Sequence, residues 1–360
     1  MTIRGLIVLL CLATATPVLA QTPFTAALAR PPAGVTLCGE KVPLELEDVR
    51  ERFEKEMLLI LWNRPQVLLW LKRTTRFLPF IAEELKKAGL PEDLQYLPIV
   101  ESALLPHIGS SRGALGFWQL MPETARNYGL IVDEHVDQRR DLFFSTSAAL
   151  SYLNNLNAKF SSWALAIAAY NMGEEGLDAE IIEQQTNDYY QLYLSLETQQ
   201  FVLRVLAVKL IVSNPGAYGF QLDPEDYYPP LRFETALLEC FEEMPLRLAA
   251  QAASTSFKAI KDLNPHIRGH YLQIGNHELR VPPGAAEGLT ERFHKLSQEH
   301  SKIRMQRIYV VQSGDSLSSI AAKFDVPLKS LLIWNKVDMS KPIHPGNRLL
   351  IFPRMNSEAP

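Results

Sequence analysis

The chain has 360 residues, 47% of them hydrophobic and 21% charged, with a formal net charge of −4. That is the balance of an ordinary globular protein of two or three domains, and it excludes a disordered chain. It lacks the basic excess on which nucleic-acid binding depends, so no nucleic-acid partner is expected.

Residues 1–20 read as a secretory signal peptide. Arg4 supplies a positive start, residues 5–15 form an apolar core, and Val18, Leu19 and Ala20 give a small-residue cleavage pattern before Gln21. The apolar run is short for a bilayer span, although a retained membrane anchor is the alternative. Cys11 follows Leu10, where a lipidation signal wants a small residue, so lipidation is not expected. The protein is therefore expected to be exported, to the periplasm or cell envelope, with room for a loose association with the envelope. Export leaves Cys38 and Cys240, which an oxidising compartment would allow to pair. Two buried thiols are the other reading. Neither cysteine has histidines at ligand spacing, so no metal and no cofactor are expected.

Residues 21–44 read as an extended lead-in rich in Pro, Ala and Thr. From 45 to 230 the pattern is helical. Val49, Phe53, Met57, Ile60 and Leu61 recur at three- and four-residue steps, which places them on one helical face. Pro65 suits the first turn of a second helix running to about Gly89. Pro91 starts another, and Pro98 kinks or restarts it before Glu101. Residues 109–116 are a loop by composition. Pro122 opens a short helix that Gly129 closes. Further helices are expected from about Ser145, over 163–172, and over 197–212. After Pro229 and Pro230 short apolar runs alternate with Gly and Pro. A weak repeat is visible there: Leu248-Ala249-Ala250, Leu263-Asn264-Pro265 and Leu279 to Pro282 parallel Ile320-Ala321-Ala322, Trp334-Asn335 and Leu349 to Pro353. The repeat predicts two small modules, at 231–285 and 308–354, with a charged segment at 286–307 between them that reads as a solvated helix or a linker.

Three segments carry candidate chemistry. Glu101 sits among Leu97, Pro98, Leu104 and Leu105, all apolar helical neighbours. A lone acid on an apolar face is costly unless it is paired or functional. An exposed helix edge, or pairing with Arg112 or Arg139, would account for the same pattern. An acid held protonated by apolar surroundings is what glycoside cleavage needs at the leaving oxygen. Phe117, Trp118 and Gln119 add an aromatic wall and an amide, a mixture suited to sugar faces and edges. Tyr170 and Asn171 end an otherwise apolar helix with a phenol and an amide that need partners.

Taken together, Glu101-Ser102, Gly116-Phe117-Trp118-Gln119 and Ala169-Tyr170-Asn171 resemble, in order and spacing, the lytic transglycosylase domain related to goose-type lysozyme. The resemblance spans about 90–225. Independently, 309–353 resembles a LysM domain, and 231–285 resembles a degenerate one. The resemblance implies a mainly α lysozyme-like catalytic domain followed by small α+β modules of βααβ order. It also implies that peptidoglycan glycan strands are the partner. Glu101 would then serve as acid and base. Ser102, Trp118, Gln119, Tyr170 and Asn171 would bind or orient the sugar, and the product would be a 1,6-anhydro sugar. No obligatory protein partner is evident. Phe201 departs from the pattern, since the family places a Tyr there whose hydroxyl would reach the acid. A wall-binding protein that has lost catalysis, or a lysozyme-type hydrolase with a second carboxylate, are the alternatives.

Overall fold

The computed structural model describes residues 26–352, so the signal-peptide reading lies outside the described residues. The chain divides into two compact units. The first holds the residues up to 231 apart from Asp133–Gln138, and the second holds Asp133–Gln138 with the residues from Arg232 onward.

The first unit opens with the hairpin of β1 (Thr36–Leu37) and β2 (Glu40–Lys41). Its two turn residues, Cys38 and Gly39, both have positive φ, as a tight hairpin turn requires. Eight helices follow: α1 (Glu47–Trp62), α2 (Arg64–Ala88), α3 (Leu97–Ser102), α4 (Pro122–Asn127), α5 (Leu142–Phe160), α6 (Trp163–Met172), α7 (Glu174–Gln184) and α8 (Leu196–Ser213). Between 45 and 230 the described residues otherwise form short 3-10 helices, turns, loops and isolated bridges. All five residues expected on one face of α1 are buried. Pro65 does sit in the first turn of α2, and Gly89 ends that helix in the left-handed conformation.

The core is organised around α6. Ala164 to Ala169 are all at most 6% exposed, so this helix is apolar on every side, as a central helix must be. Its N-terminus is held by Glu40, whose carboxylate accepts from the Trp163 amide at 2.6 Å and the Ala164 amide at 3.1 Å. Asp141 caps α5 in the same manner through the amides of Phe143 and Phe144. These caps set where the far ends of α5 and α6 emerge, and the last turn of α6 carries Tyr170 and Asn171.

The second unit contains β3 (Glu234–Cys240), β4 (Met244–Pro245), α9 (Leu246–Ala252), α10 (Phe257–Leu263), β5 (Tyr271–Leu272) and β6 (Gly275–Val281), followed by α11 (Leu289–Gln306). The last module has the order β7 (Ile308–Val310), α12 (Leu317–Lys323), α13 (Leu328–Asn335) and β8 (Arg348–Leu350). In each module the first strand pairs antiparallel with the last, β3 with β6 and β7 with β8. The repeat extends to single hydrogen bonds. Asn264 Nδ2 donates to the carbonyls of Ile260 and Arg280, while its Oδ1 accepts from the Arg280 amide. Asn335 does the same with Leu331 and Leu350. Each asparagine ends the second helix of its module and clamps the returning strand to it.

Of the two readings of the charged segment 286–307, the linker is corrected: residues Leu289–Gln306 form a helix, and it packs on the module before it rather than standing in solvent. Leu289, Phe293 and His300 fall on one face and are buried, with Leu296 half-buried beside them, while the charges lie opposite. The high charge count hid a regular apolar stripe. Cys38 and Cys240 are buried free thiols. Among the described residues no helix is long and apolar enough to cross a membrane.

Candidate active site

A cleft of about 340 Å³ in the first unit is lined by Glu101, Arg112, Gln119, Tyr152, Tyr170 and Asn171, among others. It adjoins a second hollow that shares Tyr152, Met172 and Gly173 and carries Glu123, Glu174 and Glu175.

Glu101 lies in the last turn of α3. Ala103 and Leu104 follow with φ of 54° and 60°, and the Leu104 amide turns back to the Pro98 carbonyl, which stops the helix directly after the acid. Arg73 holds this end by donating to the Ala103 carbonyl at 2.9 Å. Glu101 is half-buried, and among the described residues its carboxyl has no hydrogen-bond donor. Burial, and secondarily the negative charge of Glu197, push its pKa up to about 8, while Arg204 works against them. Behind the acid, Arg204 bridges Glu56 at 2.7 Å and Glu197 at 2.8 Å.

The Gly116–Gln119 segment forms the facing wall. A Cβ on Gly116 would lie 1.8 Å from the Arg139 carbonyl oxygen, and its φ is 84°, so only glycine fits. Arg139 is buried and donates to the carbonyls of Gly113 and Leu120, which fixes the loop on both sides of that approach. Gln119 has φ 48° and uses Nε2 to bond the carbonyls of Ile108 and Gly116 at 2.7 and 2.9 Å. Its Oε1 is thereby left as the acceptor.

Tyr170 donates its hydroxyl to the Trp118 carbonyl at 2.6 Å, joining α6 to that wall. Burial, with the negative charge of Glu101 next, raises its pKa well above the usual phenol value, so it stays a neutral donor. Asn171 Oδ1 accepts from Thr198 at 3.0 Å, which leaves the Nδ2 protons for a ligand.

Of the residues singled out from sequence, Glu101, Gln119, Tyr170 and Asn171 are brought together in the cleft. Ser102 and Trp118 do not line it. Ser102 is 4% exposed and donates to the Phe117 carbonyl at 2.8 Å. Trp118 is fully buried and donates Nε1 to Thr146 at 3.0 Å. Both fasten the wall from behind. Phe201 is 2% exposed and does not line the cleft either. Sequence reasoning missed Tyr152, whose ring lies 5.5 Å from that of Tyr170, and Thr198.

Fold and cleft together make a helical domain with a half-buried acid at its cleft, followed by a βααβ module. Residues 79–192 match the Transglycosylase SLT domain and residues 309–352 match the LysM domain. It is 35% identical over 296 residues to Membrane-bound lytic murein transglycosylase D of Escherichia coli K12, covering 78% of this chain. The same protein of E. coli O6:H1 strain CFT073 gives the same figures. The chain spans 64% of the length of these curated relatives. Among solved structures, the 70 kDa soluble lytic transglycosylase SLT70 of E. coli aligns over 50% of this chain and 32% of its own, at 19% identity and a TM-score of 0.36.

Proposed function

We propose that the protein is a peptidoglycan lytic transglycosylase of the cell envelope. It would cleave the bond between N-acetylmuramic acid and N-acetylglucosamine with Glu101 as acid and then base. The observation that carries this reading is Glu101 itself: a carboxyl raised to about pKa 8, at the edge of a cleft where it is the carboxylate among the described lining residues. An acid of that pKa is protonated at neutral pH and can give its proton to the bridging oxygen. A conventional glycosidase would place a second carboxylate across the scissile bond. Here the muramyl 6-hydroxyl takes the place of water. It attacks the anomeric carbon as Glu101 recovers the proton, and a 1,6-anhydro sugar leaves. Asn171 Nδ2 suits an N-acetyl carbonyl, and Gln119 Oε1 suits a sugar hydroxyl. The LysM domain would hold the glycan.

Mass spectrometry of the soluble products after incubating the purified chain with peptidoglycan tests this reading. Anhydro-muropeptides are expected. Reducing-end muropeptides would mean a hydrolase. Phe201 favours the second reading of a wall-binding protein. That reading requires no release while the protein still sediments with the wall.

A further inference from the structure

The second unit contains a cavity of about 670 Å³, bounded by α9, α11, α13 and Phe352. We propose that it binds a short peptide through a free C-terminal carboxylate and an adjacent apolar side chain. Nothing in the cleavage reading is needed for this.

The walls are mixed in a specific way. Leu248, Leu296 and Ile303 supply aliphatic surface, and Val326 and Pro327 close it from the other side. Trp334 and Phe352 meet edge to face at 5.4 Å, and Arg307 lies 5.8 Å from the centre of the Phe352 ring. Arg247 and Arg307 are exposed at the rim, and Glu299 is the acid on the lining, so the two guanidinium groups outweigh it. His300 is 8% exposed, stacks obliquely on Phe352 at 5.7 Å, and its Nε2 has no hydrogen-bond partner among the described residues. A buried imidazole nitrogen without a partner is costly, and a ligand oxygen would satisfy it. Charge and shape decide the ligand class. A neutral sugar could use Gln251, Tyr271 and Ser330 and stack on an aromatic ring, but it would leave the two guanidinium groups without a counter-charge. A peptide terminus offers a carboxylate for the fork of an arginine and a side chain for the aliphatic floor. The volume suits a ligand of a few residues.

Isothermal titration of the full chain with N-acetyl-Ala-Ala-Leu, its C-terminal amide and chitotetraose tests the proposal. The free acid should bind at least tenfold more tightly than the amide, and chitotetraose should not compete with it. Arg247→Gln should weaken the acid about tenfold and leave the amide unchanged. Arg247 is exposed, so this variant keeps its fold. Trp334→Ala should weaken both peptides, with circular dichroism as the check on folding. Equal binding of acid and amide would overturn the proposal. So would displacement by chitotetraose, or no binding of the acid at millimolar concentration.

Discussion

Thr198 donates its hydroxyl to Oδ1 of Asn171 across 3.0 Å, and this bond decides which half of the Asn171 amide a ligand meets. Ser195 lies 3.0 Å from the same hydroxyl and accepts from the Thr198 amide as the N-cap of α8. Asn171 is thus set by a helix cap rather than by its own helix. Thr198→Val keeps the volume of this fully buried position and removes the donor. We expect kcat/KM on peptidoglycan to fall roughly tenfold, the worth of about one hydrogen bond. The melting temperature should change little by comparison. A variant with full activity would show that Asn171 does not need this bond.

Glu101→Gln should abolish lysis with the fold intact. In the native enzyme, kcat/KM should hold to about pH 8 and fall above it, because the proton needed by the leaving oxygen is then lost. A fall centred near the ordinary carboxyl value of 4.5 would show that the acid is solvated. Stability gives a second measure. The folded-state pKa is raised, so the contribution of Glu101 to stability is intact below pH 4.5 and is lost progressively as pH rises to about 8. Glu101→Gln removes that loss. The variant should match the native protein at pH 4 and exceed it above pH 8. With the half-burial of the group taken into account, the gain is on the order of 2 kcal/mol.

Glu197 raises the pKa of Glu101 and pairs with Arg204, yet its side chain is 60% exposed, so it can be neutralised with little effect on packing. Glu197→Gln should move the alkaline limb of the activity profile to lower pH. Arg204→Gln should cost far more. It leaves Glu56, with 4% of its side chain exposed, charged and without its cation, a loss of about 3 kcal/mol by thermal or urea unfolding.

Much of this was legible in the sequence because it rests on local rules. Proline at helix starts, glycine at helix ends and three-to-four spacing located α1, α2, α4 and α6. The cleft residues Glu101, Gln119, Tyr170 and Asn171 were legible as a motif. Their neighbours Ser102 and Trp118 were read as contacts because they adjoin Glu101 and Gln119 in the chain. In an α-helix the next residue points about 100° away, and the left-handed Gln119 turns the chain between itself and Trp118. Adjacency in sequence therefore did not mean adjacency in the cleft. Thr198 lies in a segment that resembles the family's last motif, but its bond to Asn171 is not legible there, since 27 residues separate the two. In 286–307 the charge count outweighed an apolar stripe that was present at regular spacing.

Phe201 bears on whether the cleft works as it stands. The ring is 2% exposed, and among the described residues Glu101 has no hydroxyl donor. A donor to the ionised form would lower the pKa of the acid, so its absence is consistent with a raised value. Phe201→Tyr should leave activity unchanged or higher, and if the hydroxyl reaches Glu101 the alkaline limb should move to lower pH. A large loss of activity would show that the cleft is built around the bare ring.

Gly116→Ala tests the wall itself. The added methyl would meet the Arg139 carbonyl at 1.8 Å, a backbone atom held on a residue whose guanidinium is tied to Gly113 and Leu120. Neither side can yield by a side-chain rotation, and the φ of 84° is itself unfavourable for alanine. The loop must therefore leave Arg139, taking Gln119 and the Trp118 carbonyl with it, and Tyr170 loses its acceptor. We expect a loss of about 3 kcal/mol or more, read as a lowered melting temperature, together with loss of lysis. Gly113→Ala, where φ is 93° but no atom lies within 4 Å of the added carbon, should cost only the backbone term. If the two variants prove equally stable, the close approach of Gly116 to Arg139 does not hold the wall.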